Sequence, residues 1–215
     1  NHQILDVGTG PGFGAFAFAP KARHVTALDW RSEMLALART EADRRRFKEI
    51  TFVEGDPHAL PFPDDSFDIV ASAAALHHFT SPAKAIQEMA RTCVPGGAVA
   101  IEDVVTSEQD IRARYHNRIE RLRDRTHQRL LSLSEVISLL GRAGLQVCRV
   151  EVQDSIREYN EWLGVTRPPP RRSERIHHLL QGSVEQDLCG LSVQGEDDTF
   201  IFIQRVAWVL AVKSA

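Results

Sequence analysis

Gln3-Ile4-Leu5-Asp6-Val7-Gly8-Thr9-Gly10-Pro11-Gly12-Phe13-Gly14 carries a short apolar strand straight into a glycine-rich turn, and its reading decides the fold. Gly8, Gly10 and Gly12 let the backbone take dihedrals closed to other residues and approach a ligand with no Cβ in the way. The spacing discriminates between ligands. A dinucleotide fingerprint, G-x-G-x-x-G, needs glycine at position 13, where Phe13 stands. The pattern here is D-x-G-x-G-x-G, with the acid ahead of the glycines, and it points to a cradle for a nucleoside cofactor.

Spacings further along extend this reading. His24-Val25-Thr26-Ala27-Leu28-Asp29 predicts a second buried strand ending in a carboxylate, whose two oxygens suit the two hydroxyls of a ribose diol. Ile50-Thr51-Phe52-Val53-Glu54-Gly55-Asp56 repeats the arrangement, and Asp56 is placed to accept from an exocyclic base amine. Three strands tipped by polar residues at one edge fit the rule that open α/β sheets bind ligands beyond their carboxyl ends. Phe67-Asp68-Ile69-Val70-Ala71-Ser72 predicts a fourth strand, a helix follows from about Pro82, and Ala98-Val99-Ala100-Ile101-Glu102 predicts a fifth. This alternation predicts an α/β chain with a doubly wound, mostly parallel sheet. Helical periodicity returns over Glu108 to Arg123 and over Ser134 to Ala143, with Ser134 as N-cap and Gly144 as stop. Leu145 to Val152 reads as a sixth strand and Val206 to Val212 as a seventh, and Arg167-Pro168-Pro169-Pro170-Arg171-Arg172 reads as a mobile loop.

The chain resembles the class I S-adenosylmethionine-dependent methyltransferases, most closely the branch of ubiquinone/menaquinone-biosynthesis type. Asp6-Val7-Gly8-Thr9-Gly10-Pro11-Gly12 matches the first motif of that family, and Asp29 through Glu33-Met34-Leu35 the second. Gly55-Asp56 through Leu60-Pro61-Phe62 with Ser66-Phe67-Asp68 matches the third; Leu76-His77-His78-Phe79 and Arg91-Thr92-Cys93-Val94-Pro95-Gly96-Gly97 match the next two. The resemblance implies a Rossmann-like, seven-stranded sheet with the last strand antiparallel, and S-adenosylmethionine as cofactor. It further implies that Gly8, Gly10 and Gly12 surround the methionine part, that Asp29 holds the ribose and that Asp56 meets the adenine amine. Asp6 orders the glycine loop or reaches the cofactor's amino group through water. One departure stands out: the residue after the adenine-binding acid usually offers an N–H, and Pro57 has none. Either the His58 amide replaces it, or adenine is held by Asp56 and by packing from Trp30 and Met34, which predicts modest affinity. Met34 at a helical apolar position is also what plain core looks like. Family members also carry a helical segment ahead of the first strand, and here two residues precede it, so the expectation is a fragment.

Length and charge bound the partners. The chain has 215 residues, a net charge of −3 and a pI near 6.3, enough for one domain and with no global attraction to nucleic acid. The expected division is a cofactor-binding half over 1–105 and substrate-side helices and last strands over 106–215. Cys93, Cys148 and Cys189 are far apart without C-x-x-C spacing, which argues against a metal site or a disulfide framework and for a reducing cytoplasm. No apolar run has spanning length, so stable membrane insertion is not expected. Nothing in the sequence sets an oligomeric state.

Methyl transfer from a sulfonium is an in-line displacement, so a protein has mainly to align a small-molecule acceptor and remove its proton where it carries one. His77 and His78 follow the fourth strand at the cofactor edge and are candidate bases, against the plainer role of bridging loops. Leu122-Arg123-Asp124-Arg125-Thr126-His127-Gln128-Arg129 resembles a substrate-binding insertion, with His127 as a candidate base and Arg123 or Arg129 as a clamp for an acidic or phosphorylated acceptor. Arg112, Arg114, Arg118 and Arg121, interleaved with Glu120 and Asp124, read as a solvated helix laced with weak ion pairs. Two other functions compete. One is a non-catalytic protein that binds S-adenosylmethionine or S-adenosylhomocysteine; the other, disfavoured by Phe13, is a nicotinamide-dependent oxidoreductase.

Overall fold

The computed structural model describes residues 2–195 and 199–214. The chain groups into two units, the first comprising the residues up to Asp103, Ile137–Glu151 and those from Trp208, and the second Val104–Val136 and Val152–Ala207. In the first unit β1 (Gln3–Val7), α1 (Phe13–Phe18), β2 (His24–Asp29), α2 (Ser32–Arg45), β3 (Ile50–Glu54), β4 (Phe67–Ala73), α3 (Pro82–Thr92) and β5 (Cys93–Val105) alternate as the sequence predicts. The seven-stranded sheet has the order β3-β2-β1-β4-β5-β7-β6, completed by β6 (Leu145–Glu158) and the antiparallel β7 (Ile201–Lys213). β1 pairs in parallel with β2 and β4, β2 with β3, and β4 with β5, so all five carboxyl ends leave one edge. Order reversal at β1 and β4 opens the crevice where such sheets take ligands.

The strands form where they do because of what they bury. Leu5, Val7, Val25, Ala27 and Leu28 are sealed from solvent, as expected of a parallel sheet covered on both faces. One core joins Ile4, Val25 and Phe52 to Ala15, Phe16, Leu35 and Ala38 from the helices. On β5 burial alternates with period two, and Asp103 falls in phase with Val99 and Ile101 on the buried side.

The second unit holds α4 (Asp110–Arg123), α6 (Tyr159–Thr166) and α7 (Pro170–Gln181), packed around Ile119, Trp162, Ile176, Leu180 and Phe202. Three expectations change. Pro170-Arg171-Arg172 opens α7 instead of forming a loop, because proline at the first helical turn gives up an N–H that would be unpaired anyway. The N-cap before α5 (Leu133–Arg142) is Ser132, not Ser134: Glu135 N–H donates to Ser132 Oγ at 3.3 Å and Ser132 N–H to Glu135 Oε2 at 3.0 Å, a capping box. Glu120 is not part of a solvated face; it is buried. No helix among the described residues is long and apolar enough to cross a membrane.

Candidate functional site

The glycine loop is held by backbone. Gly8 and Thr9 N–H groups both donate to Leu28 O, at 2.8 and 2.9 Å, which ties the tip of β1 to the end of β2. Gly8 has φ +75°, and a Cβ there would lie 2.6 Å from Ala75 Cβ, so its missing side chain is a packing requirement. Gly10 differs: it has φ +53° and nothing within 4 Å of where a Cβ would stand. That open side is where a ligand can approach backbone. Gly12, at φ +98°, caps α1 and leaves its space to the Phe16 ring.

Two acids brace this loop. Asp29 is 2% exposed; its Oδ2 accepts Gly10 N–H at 2.8 Å and its Oδ1 accepts Arg31 N–H at 2.9 Å. A carboxylate has about four acceptor sites, so each oxygen keeps one for a hydroxyl. Asp6 is buried and accepts Thr9 Oγ1–H at 2.7 Å. Burial pushes its carboxyl up to about 6, against the pull of the Thr9 and Ala15 hydrogen bonds and with a smaller push from the Asp29 charge.

Asp56 lies on the same edge as Asp29, because Asp29 pairs with Glu54 in register and Gly55 N–H donates to Asp29 O at 3.1 Å. A cavity of about 220 Å³ opens there, lined by Trp30, Asp56, Pro57, His58, His78, Phe79 and Thr80. Trp30 meets Phe79 edge to face at 5.7 Å. Met34 is half-buried on α2 and does not line it. The His58 amide does not replace the N–H that Pro57 lacks: it donates to Asp56 Oδ1 at 2.8 Å. The polar group that this cavity offers beside its apolar walls is the Asp56 carboxylate.

His77 stands in the turn after β4, and Asp103 holds it twice. Its N–H donates to Asp103 Oδ2 at 3.1 Å, and its Nδ1 lies 2.6 Å from Asp103 Oδ1. Since the carboxylate accepts, Nδ1 carries the proton and Nε2 is the basic nitrogen of the neutral ring. The His78 ring lies beside it, tilted by 47° with centroids 4.1 Å apart. Asp103, an acid near the end of the fifth strand that could face the pocket but to which the sequence assigns no role, is thus the partner of His77. Its signal was the period-two phase on β5, which puts a carboxylate in line with Val99 and Ile101 and so requires a buried partner.

Arg123 and His127 occupy the second unit, in a buried network centred on Glu120. Arg123 Nη1 donates to Glu120 Oε2 at 2.9 Å and its guanidinium lies 4.6 Å from the centre of the Trp162 ring. Gln204 Nε2–H donates to Glu120 Oε1 at 2.8 Å, and His116 Nε2 stands 3.5 Å from the same oxygen. Burial pushes the Glu120 carboxyl up, yet the His116 and Arg123 interactions outweigh it and hold the group near 2. At 3.5 Å the His116 contact is at the limit of hydrogen bonding, so Arg123 is the firm partner. His127 Nε2 lies 3.0 Å from Asn117 Oδ1, deep beside α4. Neither residue lines the polar cavity of about 380 Å³ in this unit, whose basic side chains are Arg114, Arg121 and Arg129.

An open, mostly parallel sheet with its last strand antiparallel, a glycine loop after β1 and acids after β2 and β3 fits a Rossmann-like methyltransferase. The comparisons agree. A methyltransferase-domain family matches residues 5–101, a span contained in the first unit. The uncharacterized methyltransferase YcgJ of Bacillus subtilis is 33% identical over 186 residues, covering 86% of this chain and 73% of that protein. Its crystal structure superposes with a TM-score of 0.95 at 27% identity, over 100% of this chain and 93% of the other. A demethylmenaquinone methyltransferase of Thermus thermophilus is 39% identical over 101 residues, 46% of each chain. The chain belongs to the S-adenosylmethionine-dependent methyltransferase family.

Proposed function

We propose that this methyltransferase acts on a small-molecule acceptor, with S-adenosylmethionine lying along the strand tips of the first unit and His77 taking the acceptor's proton. The observation that carries the cofactor placement is the row of groups on one edge. Gly10 offers open backbone, Asp29 offers spare acceptor sites beside it, and Asp56 lines the cavity beyond. These residues fit the cofactor's three parts: amino acid, ribose and base. When bound, the cofactor supplies a methyl group already activated on sulfur. The chain's own tasks are then orientation and proton removal. Asp103 would fix His77 with Nε2 as the basic atom, and burial of Asp6 beneath the glycine loop would set a latent negative charge near the cationic end of the ligand.

The test has two stages. Calorimetry with S-adenosylmethionine should detect binding in the native chain and none in Gly10→Val, because a side chain there fills the approach without meeting protein. A screen of small metabolites for S-adenosylhomocysteine release should then find turnover, and His77→Ala should lower kcat on the order of 10²-fold with unchanged cofactor affinity. Binding without release across a broad acceptor panel would favour the non-catalytic alternative.

A further inference from the structure

We propose that His58 is a positioning residue for base selectivity: it fixes Asp56 through Oδ1 and so reserves Oδ2 for the amine of the cofactor's adenine. The inference rests on the cofactor placement above. Asp56 follows β3 with its side chain 61% exposed, and a carboxylate so open would ordinarily rotate among several conformers. Here one residue grips it twice. The His58 N–H donates to Asp56 Oδ1 at 2.8 Å, and the His58 ring lies with Nδ1 2.6 Å from the same oxygen.

The ring's other nitrogen settles the direction of that second bond. Ser81 N–H donates to His58 Nε2 at 3.2 Å, and a backbone N–H has no alternative role, so Nε2 is the acceptor and Nδ1 carries the proton. Thr80 Oγ1 lies 3.4 Å from Nε2 as well. The side chain is 16% exposed and packs edge to face on Phe79 at 5.9 Å. His58 thus spans the cavity's rim, from the turn after β3 to the residue that precedes α3. Pro57 between the two partners has no N–H to compete for the carboxylate and its ring fixes the turn. With the His58 amide as the leading cause and the ring behind it, the Asp56 carboxyl sits below its ordinary range and stays a pure acceptor at neutral pH. Among the described residues Oδ2 has no hydrogen-bond donor. A held acceptor favours a base with an amine and disfavours one with a carbonyl at the same position, whereas a carboxylate released from His58 could turn away from either.

The test compares calorimetric affinities for S-adenosylhomocysteine and S-inosylhomocysteine in the native chain, His58→Ala, His58→Gln, Asp56→Ala and the His58→Ala/Asp56→Ala double variant. The native chain should prefer the adenosyl ligand by about 10-fold or more, the ratio that one charged hydrogen bond supports. His58→Ala should lose most of that preference. His58→Gln, which keeps a donor and an acceptor on one side chain, should recover part of it. On the Asp56→Ala background, removing His58 should change the ratio no further. His58→Ala that keeps the native ratio, or that weakens both ligands equally, overturns the proposal. Should His58→Ala melt early, the Gln variant decides by the same ratio. A native chain that binds neither ligand overturns the cofactor placement itself, and this inference with it.

Discussion

In the first unit carboxylates at strand tips are held by backbone N–H groups, whereas in the second the buried carboxylate of Glu120 is held by side chains on both oxygens. Asp29 accepts one backbone N–H on each oxygen, and Asp56 accepts on Oδ1 alone among the described residues. Glu120 instead draws in the side chains of Arg123, Gln204 and His116 inside a buried network. Residue types that suggest chemistry on paper, such as arginine and histidine near an acid, can be consumed in solving a burial problem. A site is marked by polar groups that are held firmly and still incompletely paired.

Breaking the Glu120 network should have the largest effect. Glu120→Ala strands Arg123 in an apolar setting beside Trp162, and such losses cost about 3–5 kcal/mol; chemical denaturation should read it as a lowered midpoint. The native carboxyl titrates near 2, below its unfolded value of 4.5, so its contribution is complete above 4.5 and is lost as pH falls toward 2. The acid-unfolding curve of Glu120→Gln should be flatter over that window. A midpoint unmoved by either substitution would mean that the second unit does not depend on this carboxylate.

Gly8→Val comes next, at about 3 kcal/mol from left-handed strain and overpacking against Ala75. Gly10→Val keeps the left-handed strain but meets no protein atoms, so it should cost less in melting temperature while abolishing cofactor binding. The two glycines therefore separate packing from ligand approach, and equal effects would erase the distinction.

Asp6 sharpens the contrast through its own titration. Its folded value near 6 lies above the ordinary 3.8, so the native chain holds that proton more tightly and loses roughly 2–3 kcal/mol of stability as pH rises from 3.8 through 6. Asp6→Asn should remove that slope from a melting-temperature series. If Asp6 faces a cationic ligand, affinity should rise over the same range and protons should be released on binding, in the native chain only. The smallest effect belongs to Arg123→Lys, about 1 kcal/mol, because an ammonium keeps the charge and loses the planar stacking on Trp162.

The sequence made the first unit legible because its signals are local. Apolar runs ending in Gly8, Asp29 and Asp56 state both the strand and its tip, and the observed bounds differ by a few residues. Where the reading fell short, the missing information was distant in the chain. β7 starts at Ile201, ahead of the apolar run at Val206, because Gln204 sits on the inward face and pairs with Glu120, 84 residues away. β5 starts at Cys93, since Pro95-Gly96-Gly97 looks like a turn but forms an irregular stretch of strand, with Gly96 at φ +77° and a register shift opposite. Asp103 waits on His77, 26 residues earlier. Spacing can nominate Arg123 and His127; only packing reveals that both turn toward the interior.

The grip of Asp29 on Gly10 and Arg31 makes it a scaffold pin, and under the proposed cofactor placement the same side chain is also the ribose contact. Any alteration of that acid therefore perturbs the glycine turn along with the sugar contact, and a weakened dissociation constant would not say which was lost. The cleaner perturbation is made on the small molecule: a 2′-deoxyribose cofactor analogue would sample the sugar interaction with the turn left intact.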